Sequence, residues 1–321
     1  MDEFQKRINY QGDLKPLFSK VCKDYNIGSY ESHELIIQGY EDFNLILITD
    51  KGKFFVKIFG SFRSEKECRQ YIEVVNAALS AGVSHPKLYK NHDDFLYKTS
   101  LAETEDRLSV FEYIGGNSFF ELNHNPTNKE LQFIIKQAVL INSIQLKPPL
   151  IYDSWAIINF LKEYREKGKV LESEQKLLIN PLVADFEGIN FNKLPKALIH
   201  GDLITTNLMK DKNGKIYVID FAVANYSPRI IELAVLFNDT FFDKGDISQT
   251  KDYYNLALVE YQKYITLTEY ELETLPILVK VGHAMHLLRA TYEKVINHNN
   301  SKENEYFLNL GKVGLTSGLE N

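Results

Sequence analysis

Two aspartates and an asparagine define the chemistry open to this chain. His200-Gly201-Asp202-Leu203-Ile204-Thr205-Thr206-Asn207 is followed, thirteen residues after Asn207, by Asp220 in Ile219-Asp220-Phe221. Phosphoryl transfer asks a protein for few parts. One carboxylate orients the attacking hydroxyl and takes its proton, oxygen ligands hold Mg²⁺ against a triphosphate, and a cation neutralises the phosphates. Mg²⁺ prefers hard oxygen ligands and keeps several waters, so one Asp and one Asn side chain are adequate. Asp202 is therefore read as the base, Asn207 and Asp220 as the Mg²⁺ ligands, and His200 as a brace of the loop by hydrogen bonding. Each residue alone is an ordinary loop residue. Together, between strand-like runs at 198–202 and 215–221, they predict an ATP- and Mg²⁺-dependent transfer to a hydroxyl.

The phosphate-binding cation should come from a strand. Lys57 in Phe55-Val56-Lys57-Ile58 has apolar neighbours and fits. Taken alone it is equally an outward-facing strand lysine, because it shares strand parity with Lys53. A glutamate from the following helix should pair with that lysine. Glu65, Glu67 and Glu73 compete, and Glu73 is favoured. Gly39-Tyr40-Glu41-Asp42-Phe43-Asn44 lies where a phosphate-covering loop belongs, with Asn44 as its nucleotide-side residue, although it holds one glycine and no G-x-G-x-x-G. Phe111-Glu112-Tyr113-Ile114 would run along the adenine edge, where backbone groups of Glu112 and Ile114 pair with the base.

The elements that must position these groups change character along the chain. Residues 45–49 and 53–59 read as two strands joined by Asp50-Lys51-Gly52, a turn sequence. Ser64 with Glu67 three residues on is a capping-box signal for a helix whose apolar face is Cys68, Ile72, Val75 and Leu79. Gly82 and Pro86 end it, and strands are expected at 95–97 and 108–114. After Gly115-Gly116 helical periodicity takes over at 128–146, 153–167, 228–237 and about 250–295. The fold class is α+β: a protein-kinase-like two-lobed fold with a small antiparallel sheet and one helix at residues 1–114, and a larger, mainly helical lobe at 115–321.

Composition narrows the partners. The net charge of -6, without a Lys/Arg block, is a poor footprint for nucleic acid. No run approaches the ~18 apolar residues of a membrane span, and the N-terminus has no apolar signal core, so a cytoplasmic setting is expected. Two cysteines make neither a disulfide framework nor a four-ligand zinc site, and Cys68 reads as a small buried apolar residue.

These residues resemble a known family. The His200-to-Asn207 segment with Ile219-Asp220-Phe221 is similar to the signature of the aminoglycoside phosphotransferase superfamily, which includes choline and ethanolamine kinases, type II homoserine kinases, methylthioribose kinases and fructosamine kinases. Gly201, where eukaryotic-type protein kinases usually carry Arg, points to this branch. The hairpin through Lys57 and the segment Ser227-Pro228-Arg229…Glu232-Leu233-Ala234 extend the resemblance, with Glu232 where the family usually has Asp. The resemblance implies Asp202 as catalytic base, Asn207 and Asp220 on Mg²⁺, and Lys57 with Glu73 on the phosphates. It implies a small-molecule hydroxyl acceptor such as homoserine, choline or an aminoglycoside, with a bacterial Ser/Thr protein kinase on the same scaffold as the alternative.

On the acceptor side, Asp239 and Asp243 follow the Asp220 segment, and Trp155 opens a helix that could wall the site. Carboxylates there would suit an ammonium group; they are equally capping or surface residues. His283 and His286 on one long helix read as packing residues, and Gly282 as a mark of close helix packing.

Overall fold

The Asp50-Lys51-Gly52 turn closes the hairpin at the centre of a larger sheet. The computed structural model describes residues 5–8, 10, 12–36, 42–92, 94–101 and 104–319. Strands β1 (Tyr30–Ile36), β2 (Phe43–Thr49), β3 (Gly52–Ile58), β4 (Tyr97–Leu101) and β5 (Thr104–Glu112) form an antiparallel sheet in the order β1-β2-β3-β5-β4. Strict alternation along β2 sends Phe43, Leu45 and Leu47 into a core with Val56, Ile58, Leu108 and Val110. Helix α1 (Lys15–Asp24) covers that face with Leu17, Phe18, Val21 and Cys22. Each such side chain contributes ~1.5–3 kcal/mol by leaving water. Burial also pushes the Cys22 and Cys68 thiols up to about 11, which leaves them unreactive packing residues.

The described chain divides into two compact units. The first takes residues up to Ser80, Ser84–Gly116 and Asp211–Ile219; the second takes Ala81–Val83, Asn117–Lys210 and Asp220 onward. Helix α2 (Glu65–Ser80) of the first unit begins at the expected box: Ser64 N–H and Oγ donate to Glu67 Oε2, and Glu67 N–H donates back to Ser64 Oγ. The segment 211–219 joins this unit through Ser84. Its hydroxyl donates to Ile216 O at 2.6 Å, and its carbonyl accepts from Val218 N–H at 2.7 Å.

After β6 (Gly116–Ser118) and α3 (Phe119–Leu122) the second unit is mainly helical: α4 (Asn128–Ser143), α5 (Phe160–Lys167), α6 (Ser173–Glu187), α7 (Ile230–Asn238), α8 (Ile247–Gln262), α9 (Glu269–Ile296) and α10 (Lys302–Thr316). Short strands run between α6 and α7: β7 (Lys196–Ile199), β8 (Leu208–Asp211) and β10 (Asn225–Pro228), with β9 (Ile216–Val218) in the segment that belongs to the first unit. The periodicity at 250–295 resolves into two helices, because Thr268 and Glu271 form a new capping box. The helix expected from residue 153 starts as one 3₁₀ turn at Ile157–Asn159.

Every residue of α7 is buried, and α9 crosses it closely. A Cβ on Gly282 would sit 1.7 Å from Asn238 Nδ2, so only glycine permits this approach. Among the described residues, no helix is long and apolar enough to cross a membrane.

Candidate active site

The loop 200–207 leaves β7, which pairs antiparallel with β10 so that Ile199 faces Asn225. Gly201 follows with φ of +79°, a left-handed conformation that accounts for glycine at this position. Fixing such a turn needs partners for its backbone donors. Glu232 on α7 supplies them: its Oε2 accepts from His200 N–H at 2.6 Å, and the same carboxyl accepts from Gly201 N–H. The His200 ring is fully buried against Phe221, with centroids 4.4 Å apart, and its Nδ1 accepts from Asp202 N–H at 3.2 Å. Both ring and backbone of His200 thus hold the loop.

The far end of α7 grips the same loop further on. Thr240 Oγ1 donates to Leu203 O at 3.0 Å, and Asp239 Oδ1 accepts from Thr205 N–H at 2.7 Å. Tyr306 of α10 donates its hydroxyl to Asp239 Oδ2 at 3.3 Å. Asn207 closes the loop on itself, giving Nδ2 to Asp202 O at 3.0 Å and to Asp202 Oδ2 at 2.7 Å. Asp220 sits at φ of +61°, where a non-glycine residue costs ~1 kcal/mol. Its Oδ1 accepts from Ala222 N–H at 3.3 Å.

Carboxylates crowd here. Burial raises the Asp202 pKa well above its ordinary value, and the charges of Asp153, Asp220 and Asp239 add to the rise against the Asn207 hydrogen bond. Burial carries Asp239 up to about 6, against its bonds from Thr205 and Tyr306. Burial takes Glu232 to about 8, although two backbone N–H groups oppose it. Glu232 Oε1 is buried without a hydrogen-bond partner among the described residues.

In the first unit, register places Asn44 and Ser109 opposite Lys57 on either side of β3. Lys57 is 3% exposed, and its Nζ lies 2.9 Å from Asp42 Oδ2 and 5.3 Å from the Tyr71 ring centroid. Asp42 Oδ1 also accepts from Arg63 Nε and Gly60 N–H, each at 2.9 Å. Burial would raise the Asp42 pKa, but Lys57 and Arg63 hold it at about 2. The helix glutamates stand elsewhere: Glu73 is exposed, Glu65 pairs with Arg69 and Lys98, and Glu67 caps α2. The carboxylate on Lys57 comes from the residue before β2. Asn44 Oδ1 is buried without a hydrogen-bond partner among the described residues. Glu112 and Ile114 lie at and just beyond the end of β5; Glu112 N–H donates to Lys87 O, and Ile114 O accepts from Gly116 N–H. Gly39, Tyr40 and Glu41 of the expected phosphate-covering loop lie outside the described residues.

The model of the phosphotransferase enzyme family (APH) matches residues 33–265, most of the chain and all the residues just placed between Asp42 and Asp239. The chain belongs to this phosphotransferase family. The homoserine kinase of Parvibaculum lavamentivorans is 24% identical over 286 residues, covering 85% of this chain and 84% of its own. That of Agrobacterium fabrum is 24% identical over 276 residues, covering 84% and 82%. Among solved structures, an amicoumacin kinase in complex with AMP-PNP and Ca²⁺ has the same fold, with a TM-score of 0.68 at 15% identity over 96% of this chain and 94% of its own. The protein is thus a small-molecule phosphotransferase with the protein-kinase-like α+β fold.

The phosphotransferase has donors suited to Mg²⁺ only as part of a shared shell. With Nδ2 of Asn207 committed to Asp202, its amide oxygen is the atom suited to a cation, and Asp220 offers a carboxylate. Among the described residues, no group of three His, Cys, Asp or Glu could hold a metal alone. Phosphate oxygens and water would complete the shell, as Mg²⁺ favours.

The two aspartates expected on the acceptor side differ. Asp239 is 1% exposed and bonded to the 200–207 loop rather than capping a surface. Asp243 is the turn residue, accepting from the Gly245 and Asp246 N–H groups. Trp155 packs on Phe307 at 5.5 Å beneath Arg289, and its backbone N–H donates to Asp153 Oδ1 at 2.9 Å. Sequence reasoning missed Asp42, Asp153 and Tyr306. For Asp42 a signal existed: the hairpin register that sets Asn44 opposite Lys57 brings residue 42 to the same end of β3.

Proposed function

We propose that this phosphotransferase moves the γ-phosphoryl group of ATP, with Mg²⁺, to the hydroxyl of a small amino-bearing acceptor in the cytoplasm, with homoserine as the leading acceptor. The observation that carries the reading is Asp202: a carboxyl of raised pKa, aimed by Asn207, on a loop gripped at successive points by α7. Such a carboxyl is a stronger base than a solvated one. It accepts the hydrogen bond of the acceptor hydroxyl, orients the oxygen, and takes its proton as the new O–P bond forms and the bond to the ADP oxygen breaks. Mg²⁺, held by Asn207 and Asp220, would supply neutralising charge for the phosphates. Lys57 adds a cation to the phosphates, with Asp42 rather than Glu73 as the carboxylate that positions it. Asn44 and the backbone of Glu112 and Ile114 are the nucleotide contacts on this reading.

The homoserine kinases matched over most of their length support the acceptor class, and the AMP-PNP in the amicoumacin kinase supports ATP as donor. The test is ADP release by purified protein with ATP and Mg²⁺ against L-homoserine, choline, 3-aminopropan-1-ol and an aminoglycoside. One phosphomonoester per ADP with a small acceptor is expected. Transfer of label only to protein Ser/Thr would overturn the reading.

A further inference from the structure

Lys244, in the turn between α7 and α8, is half-buried, and its Nζ lies 4.1 Å from the centroid of the Tyr306 ring. Among the described residues it makes neither an ion pair nor a hydrogen bond. The carboxylates whose charge it feels are committed elsewhere. Asp239 holds Thr205 and Tyr306, while Asp243 holds the Gly245 and Asp246 N–H groups and the Asn125 amide. A partly desolvated ammonium without an anionic partner is costly, and burial accordingly lowers the Lys244 pKa.

The place of this cation matters as much as its lack of a partner. Tyr306, on which it lies, accepts from the Thr205 hydroxyl at 3.4 Å, and Thr205 is three residues beyond Asp202. Phe120 packs edge-on against Tyr306 at 5.1 Å, and the Phe120 N–H donates to Thr205 O at 3.1 Å. Thr205, Phe120, Tyr306 and Lys244 are all partly exposed, and these contacts link them to the loop that carries the base. The rest of that neighbourhood is acidic, with Asp153, Asp220 and Asp239 all acting on Asp202. One unpaired cation in an acidic surround is a directional feature: it favours an acceptor with a negative group at one end.

We infer that Lys244 is the specificity-determining residue of the acceptor side, its ammonium binding a carboxylate of the acceptor. The phosphotransferase then prefers hydroxy amino acids to amino alcohols without a carboxylate. This rests on the acceptor reading proposed above and deepens it.

The test compares L-homoserine with 3-aminopropan-1-ol, the same acceptor without its carboxylate, in wild type, Lys244→Met and Lys244→Arg. Losing a charged contact to a substrate carboxylate costs ~10- to 100-fold in kcat/KM. The homoserine-to-aminopropanol ratio of kcat/KM should fall by about that factor in Lys244→Met, through KM, and be largely kept in Lys244→Arg. An equal loss for both acceptors, or no loss for homoserine, overturns the inference. Calorimetric binding of L-homoserine to the same proteins separates the two readings. Lys244-dependent binding without phosphoryl transfer keeps the carboxylate site and overturns the kinase reading. Binding equal in wild type and Lys244→Met overturns the site.

Discussion

The Glu232 carboxylate accepts the backbone N–H of His200 at 2.6 Å, across 32 residues of sequence, and so ties α7 to the first residue of the 200–207 loop. The glutamate reaches the loop from the first turn of α7. Removing it leaves the His200 and Gly201 N–H groups buried without an acceptor, a cost of ~1–3 kcal/mol per group. Glu232→Ala should lower stability by that order and reduce kcat by ~10-fold or more, because Asp202 loses its placement. Glu232→Gln keeps an acceptor oxygen and should stay close to wild type. Urea denaturation with steady-state kinetics checks both.

The same residue predicts a pH effect. Burial sets the folded pKa of Glu232 at about 8, above its ordinary 4.5, so between these values the folded state holds a proton that the unfolded state has released. Its contribution is complete below about 4.5 and is lost as pH rises through 8, with a slope of ~1.4 kcal/mol per pH unit. Glu232→Gln should remove that slope. Denaturation midpoints at pH 5 and pH 8 that shift equally in wild type and variant would contradict it.

Much of this site was legible in the sequence because its signals are local. The turn at 50–52, the Ser64/Glu67 box, and the spacing of Asp202, Asn207 and Asp220 all lie within short windows, and each element forms where those residues direct it. The bracing contacts were not legible. Glu232 reaches His200 over 32 residues, Asp239 reaches Thr205 over 34, and Tyr306 reaches Asp239 over 67. Side-chain periodicity carries no information about such distant pairs. A glutamate on α2 was expected for Lys57; the hairpin register delivers Asp42 instead. Helices α1, α6 and α10 and strand β1 drew no sequence assignment. β1 shows why: it is mostly exposed and polar, and lacks a period-two apolar signal.

Asp42 should matter more for stability than Lys57. It lies against both Lys57 and Arg63 in a buried setting, and removing a carboxylate that two buried cations share costs ~3–5 kcal/mol. Lys57→Met leaves Asp42 its bonds from Arg63 and Gly60, so it should cost less stability while raising the KM for ATP. Urea denaturation of Asp42→Ala and Lys57→Met decides the order; a larger loss in Lys57→Met contradicts it.

His283 and His286 should make the protein sensitive to acid. Both are buried on α9, against Phe242 and Phe307, and burial lowers both pKa values to about 3. Between about 3 and the ordinary 6.5 the unfolded chain binds protons that the folded chain refuses. Stability is therefore complete above 6.5 and falls as the pH drops, by ~1.4 kcal/mol per unit for each histidine. Glu232 and Asp239 act in the opposite direction over part of that range, so the informative comparison is wild type with His286→Gln. The variant should lose stability more slowly between pH 6.5 and pH 4.5.

The central claim is that Asp202 acts on the acceptor hydroxyl rather than on the nucleotide. Asp202→Asn keeps the shape of the loop and removes the base. Its turnover with ATP and the best small acceptor should fall by ~10²- to 10⁴-fold, while the Kd for the Mg²⁺–nucleotide stays within about threefold of wild type, well under the tenfold that 1.4 kcal/mol represents. Turnover near the wild-type value would contradict the account.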